Sequence, residues 1–232
     1  GSENFDSDQA GDEVDPDAIA QLTSTSTTTV AETTTTTTVA TDTTPATGVP
    51  DPNTTVPTTV PATTPPPTVA LAGGVLAVGD SVMLGAKSEL EGLGFAVDAV
   101  KSRQFANAIP VLEVYRDYGA LPPTIVIHLG TNGRWVGPEF DTMMNVIGPD
   151  RRVFFLTARM PRDWEAEVNS KLADGVSRYP NATLIDWRQF AGCHDDWFGS
   201  DGIHVTDVGA RNYADFILAH VNGQGASLTY CA

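Results

Sequence analysis

The chain has 232 residues and a formal charge of −16, unevenly spread. Residues 1–69 hold ten of the 29 acidic residues, none of the 13 Lys and Arg, and no aromatic ring except Phe5. An acidic chain of this kind lacks the basic face of a nucleic-acid binder, and no apolar run in it is long enough to cross a bilayer.

Gly1-Ser2 has the form of a tag remnant, so the natural start is expected to lie further upstream. From Gln21 to Pro67 the chain is dominated by Thr, with Pro, Ala and Val, as in "TTVAETTTTTTVATDTTPATG". Such a stretch carries too few large apolar side chains to offset its ordering entropy. Residues 1–69 are therefore expected to form a disordered acidic, Thr/Pro-rich linker or stalk, with one folded domain over 70–232.

Within 70–232 strand and helix patterns alternate. "GVLAVG" is a short buried strand bounded by glycine, and "SVMLGAKSELEGLG" continues with helical spacing. "AVDAV" reads as a second strand; "FANAIPVLEVYRDYG" is a helix that Pro110 kinks or delays. "TIVIHLG", "RRVFFLTA" and "ATLIDW" are three further strands. "WEAEVNSKLADGVSRY" sets Trp164, Val168, Leu172 and Val176 on one helical face, and a last helix begins at a Thr206 cap. Alternation with near-continuous apolar strands implies a parallel sheet covered on both faces.

Reactive groups in an open parallel sheet gather beyond the carboxyl ends of its strands. Three short stretches are expected to meet there: Gly79-Asp80-Ser81, Gly130-Thr131-Asn132, and "SDGIHVT" with Asp201 and His204. Ser81 needs a base to become a nucleophile. His204 can supply it, and Asp201, three residues earlier on a turn eased by Gly202, can hold the imidazole tautomer. Asn132 offers an N–H to a developing oxyanion, as does the helix start at Ser81. Each stretch alone reads as a turn; it is their joint placement at strand ends that points to catalysis.

His128 lies within an apolar strand and reads as a satisfied core histidine, while His220 reads as surface. His194, beside Asp195 and Asp196, lacks a second ligand pair, so neither a metal nor another cofactor is expected. Cys193 and Cys231 could be two buried thiols. A bridge is favoured because Cys231 would otherwise sit on a fraying end, and it would imply an oxidising compartment.

The motifs "GDSVMLGA", "KSRQF", "IVIHLGTNG", "TARMPRDWEAEVN" and "DWRQFA...DGIHVT" resemble those of SGNH (GDSL-like) hydrolases. The resemblance is greatest to the extracytoplasmic SGNH domains of acyltransferase-3 type cell-envelope O-acetyltransferases. It covers Leu76 to Val221 and none of the stalk. It implies a flavodoxin-like three-layer α/β/α fold with a central, mainly parallel five-stranded sheet. It also implies a serine acyl-enzyme with Ser81, Asp201 and His204 as triad and Asn132 as oxyanion donor. Gly130 is included in the oxyanion and substrate-binding set. The place where the family has a glycine N–H donor is held here by Ser102. Arg159 lies in a shared stretch and is carried as a substrate-binding residue, with a strand-end structural role as its rival.

The activity implied is acetyl transfer to a cell-envelope glycan, peptidoglycan included, outside the cytoplasm. The partners would be a glycan acceptor, a small acyl donor and a membrane-embedded acyltransferase domain upstream, which also tethers the protein. A secreted carbohydrate or lipid esterase and a non-catalytic glycan-binding module are the competing readings. No interface signal stands out, so a monomer is expected.

Overall fold

The computed structural model describes residues 14–24, 74–135 and 138–231. The Thr-rich tract and residues 1–13, which make up most of the expected stalk, lie outside the described residues. Pro16–Ser24 form a helix, α1, that packs on the body. Ala18 on its inner face is buried, and the Asp15 backbone N–H donates to the Asp98 carboxylate at 2.8 Å. The expected boundary near residue 70 therefore misses an N-terminal piece of the folded unit. A buried acceptor one strand away gives that short helix something to hold.

The remaining elements run in chain order: β1 (Val75–Gly79), α2 (Ser81–Gly85), α3 (Lys87–Gly92), β2 (Ala96–Ala99), α4 (Ala108–Asp117), β3 (Thr124–His128), α5 (Glu139–Ile147), β4 (Arg152–Leu156), α6 (Glu165–Ser177), β5 (Ala182–Ile185), α7 (Trp187–Phe190) and α8 (Asp207–Val221). The five strands form one parallel sheet in the order β2-β1-β3-β4-β5. The helices touch in two groups, α4 with α5 and α5 with α6, and α3 with α8. β1 and β3 are buried along their whole length, as strands covered on both faces must be. α1 lies on the edge strand β2, which is fully buried, whereas β5 at the other edge is half exposed.

One local expectation changes, and a second is decided between its two alternatives. The helix after β1 is two short helices, broken at Ala86. α4 starts late, at Ala108, which places Pro110 in its first turn, where a missing N–H removes no intrahelical bond. Thr206 caps α8 by accepting the Gly209 N–H, as the pattern predicted. Cys193 and Cys231 form a disulfide. His220 is partly buried rather than free on the surface: Nδ1–H donates to the Phe216 carbonyl at 2.8 Å, and Nε2 lies 3.1 Å from the Tyr230 hydroxyl. The C-terminal tail covers it, and the disulfide fixes the end of that tail.

Candidate active site

In the strand order 2-1-3-4-5 the chain reverses direction across the sheet between β1 and β3, and the crevice of such a fold opens at that point. Residue 80 follows β1 and residue 132 lies just past β3, so sequence order alone delivers both stretches to one crevice.

His204 Nε2 lies 2.9 Å from Ser81 Oγ, and His204 Nδ1 lies 2.6 Å from Asp201 Oδ2. With Nδ1 protonated toward the carboxylate, Nε2 is the acceptor for the serine proton. The other Asp201 oxygen accepts the backbone N–H groups of Ile203 at 2.9 Å and His204 at 3.1 Å. Bonding to His204, then to these amides, lowers the Asp201 pKa from 3.8 to about 2. The turn depends on Gly202, which has φ +68° and whose carbonyl accepts from Arg159 Nη1 at 2.9 Å.

Ser81 opens α2, and Asp80 caps that helix by accepting the Val82 N–H at 2.9 Å. The second Asp80 oxygen accepts from Asn132 Nδ2 at 3.2 Å. Asp80 is fully buried, and burial raises its pKa from 3.8 to about 6, opposed first by the hydrogen bond from the Val82 N–H. The same Asn132 nitrogen also donates to the Arg103 carbonyl at 3.3 Å. Both amide hydrogens are thus engaged, and service to an oxyanion requires Asn132 to share one of them.

A cavity of about 610 Å³ opens over these groups, lined by Ser81, Leu84, Gly85, Lys101, Ser102, Asn132 and His204. The N–H donors expected at Ser81, Ser102 and Asn132 all border it. Ser102 has φ +60°, a left-handed conformation that glycine adopts without strain. Serine keeps its N–H in that position only under constraint from its neighbours.

Two expected residues lie elsewhere. Gly130 is absent from the cavity lining: at φ +115°, a Cβ on it would sit 2.5 Å from Val168 Cγ1, so the close approach of α6 to the segment after β3 is what requires glycine. Arg159 is also absent; it braces the triad turn through the Gly202 carbonyl, pairs with Asp195 at 2.9 Å and stacks over Phe198. It lines a second cavity of about 730 Å³ with Glu165, Arg188 and Cys193. The rival strand-end reading of Arg159 fits these contacts.

His128 is buried, with Nδ1 2.7 Å from the Tyr213 hydroxyl, while Nε2 has no partner among the described residues. Burial pushes its pKa down to about 3, which keeps it neutral. Cys193, His194 and Cys231 lie together, but the two sulfurs are bonded to each other, so the group offers one imidazole and no thiolate. The sequence reading missed the buried Asp98–Arg103 pair, at 2.7 Å with neither side chain exposed. Its only signal was an acid inside the otherwise apolar "AVDAV".

No family model matches the chain. It is 28% identical over 149 residues to the peptidoglycan O-acetyltransferase OatA of Listeria monocytogenes, covering 63% of this chain and 24% of that protein. The chain thus spans about a quarter of the length of the curated relatives it matches. Among solved structures it resembles the C-terminal catalytic domain of OatA from Streptococcus pneumoniae with a methylsulfonyl adduct. The TM-score is 0.57 at 23% identity, over 69% of this chain and 98% of that one. It also resembles a GDSL-like lipase from Bacteroides thetaiotaomicron, with a TM-score of 0.53 at 12% identity, covering 65% and 88% of the two chains.

Proposed function

We propose that this chain, whose homologues are peptidoglycan O-acetyltransferases and whose fold is that of the SGNH hydrolases, passes an acetyl group through Ser81 to a hydroxyl of a cell-envelope glycan. The observation that carries this reading is the unbroken line of hydrogen bonds from Ser81 Oγ through His204 to Asp201 at the mouth of an open cavity.

In the first half-reaction Ser81 Oγ attacks the acetyl carbonyl carbon while its proton passes to His204 Nε2. Negative charge collects on the carbonyl oxygen, facing the N–H groups of Ser81, Ser102 and Asn132. The intermediate collapses, the donor oxygen leaves with the proton from His204, and acetyl-Ser81 remains. In the second half a glycan hydroxyl gives its proton to His204 and attacks the acetyl carbon. Ser81 then departs, recovering that proton. Throughout, Asp201 stays ionised and stabilises the imidazolium.

Water in place of the glycan makes the same residues an acetylesterase, so hydrolysis is the expected background reaction. Transfer outside the cytoplasm is supported by the disulfide, which persists in oxidising compartments. In this reading a membrane-embedded acyltransferase partner delivers the donor, and the far greater length of the relatives leaves room for such a domain. The Thr-rich tract forms part of the connection to it, and the body works as a monomer.

Ser81→Ala tests the reading. It is expected to remove turnover of an activated acetyl ester and acetyl transfer to peptidoglycan fragments, with an unchanged melting temperature. Residual activity near that of the unaltered protein would refute the Ser81 assignment.

A further inference from the structure

Asp98 is a fully buried carboxylate on the edge strand β2. Oδ1 accepts from Arg103 Nη2 at 2.7 Å, and Oδ2 accepts from the Tyr115 hydroxyl at 2.9 Å and the Asp15 backbone N–H at 2.8 Å. Arg103, buried as completely, extends Nη1 to the Asp98 carbonyl at 2.7 Å and the Gly79 carbonyl at 3.3 Å. Gly79 ends β1, two residues before Ser81. The carbonyl of Arg103 receives Asn132, and the residue before it is the left-handed Ser102. One guanidinium therefore fastens the loop 101–103, which walls the Ser81 cavity, to the end of the strand that delivers Ser81.

α1 completes this arrangement from outside. Besides its N–H on Asp98, Asp15 pairs through its side chain with Lys87 Nζ at 2.5 Å. Lys87 opens α3, directly after the helix that carries Ser81. Gln21 Nε2 reaches the Phe95 carbonyl at 3.4 Å, and Ala18 is 3% exposed. α1 thus touches both limbs of the cavity, the Ser81 limb through Lys87 and the Ser102 limb through Asp98. A helix that merely shielded the edge of β2 would need neither polar link. Without Asp15, water gains a path to a charge pair whose grip depends on dryness.

We infer that residues 14–24 are a clasp that positions the 101–103 loop beside Ser81, so that turnover depends on its being seated. These are positioning residues, since none reaches the cavity. The inference rests on the reading of Ser81 as nucleophile, and two measurements keep the failures of the two apart.

In the full chain, Ala18→Arg should unseat α1, with Thr23→Arg on its exposed face as control. The expected result is a fall of about ten- to a hundredfold in kcat for an activated acetyl ester, the scale of losing about an ångström of alignment. KM should stay within about twofold. Hydrogen exchange at the Ser102 and Arg103 amides should quicken, and the control should change neither. Equal kcat in the two variants, or unchanged exchange in the loop, overturns the clasp while leaving Ser81 standing. If the unaltered protein has no turnover, the Ser81 reading falls and loop exchange alone decides the clasp. If Ala18→Arg does not fold, Lys87→Met, which leaves the packing on β2 intact, is read in the same two ways. It should show a smaller change in the same direction, and no change refutes the clasp.

Discussion

Replacing Asp80 by asparagine separates the stability of the site from its chemistry. In the folded protein this buried carboxyl keeps its proton up to about pH 6, whereas an unfolded chain releases it near 3.8. Between those values the native state holds more protons than the unfolded one, so stability falls as pH rises through this window. Above pH 6 the full penalty applies, about 3 kcal/mol for a rise of this size. The Asp80→Asn side chain has no charge to bury and escapes that fall. It is not a perfect substitute, however: once its oxygen accepts the Val82 N–H, its own NH₂ faces the NH₂ of Asn132, donor against donor. That clash returns about 1–2 kcal/mol of the gain and turns Asn132 away from its present direction. Urea unfolding of both proteins at pH 4 and pH 8 gives the readout. The unaltered protein should lose about 2–3 kcal/mol relative to Asp80→Asn between the two. Acetyl-ester turnover in the variant should drop about 10²-fold, as when one oxyanion donor is removed. A stability difference that does not change with pH would refute the raised carboxyl. Undiminished turnover would refute the link from Asp80 to Asn132.

Arg103→Met leaves Asp98 charged and buried against Tyr115 and Asp15, and should cost about 3–5 kcal/mol in chemical denaturation. Adding Asp98→Asn removes the stranded charge and should recover about half of that loss; no recovery would mean the pair is not held by charge. Reduction of Cys193–Cys231, which are 38 positions apart, should lower stability by about 4 kcal/mol on the chain-entropy account. Calorimetry with and without reductant should then show a fall of about 8–16 °C, and a fall below about 2 °C would place the tail's hold elsewhere.

What the sequence shows and hides follows from the range of the forces involved. β1 and β3 were legible because a strand buried on both faces must be apolar along its whole length, a property of five consecutive residues. The Thr206 cap is legible for the same local reason. The approach of Ser81 and Asn132 was readable because a parallel sheet sends every strand's carboxyl end the same way, whatever the intervening residues. His204, well past the end of β5 at Ile185, was placed by its pairing with Asp201 in a turn before the last helix. α1 was not legible: it has nine residues, with Ala18, Ile19 and Leu22 its main apolar side chains, and stands next to a Thr-rich tract. Its support is an acceptor 83 positions away. The need for glycine at 130 comes from Val168, and the partial cover of His220 from Tyr230; neither partner is marked as such in the chain. Long-range packing has no local spelling.

The docking of α1 also decides how its residues meet a protease. A protease needs an extended segment, and the seated helix with its Ala18 face closed against β2 offers none. Cleavage within Pro16–Ser24 must therefore wait for the helix to lift, so the rate of nicking there reports how often nine residues let go.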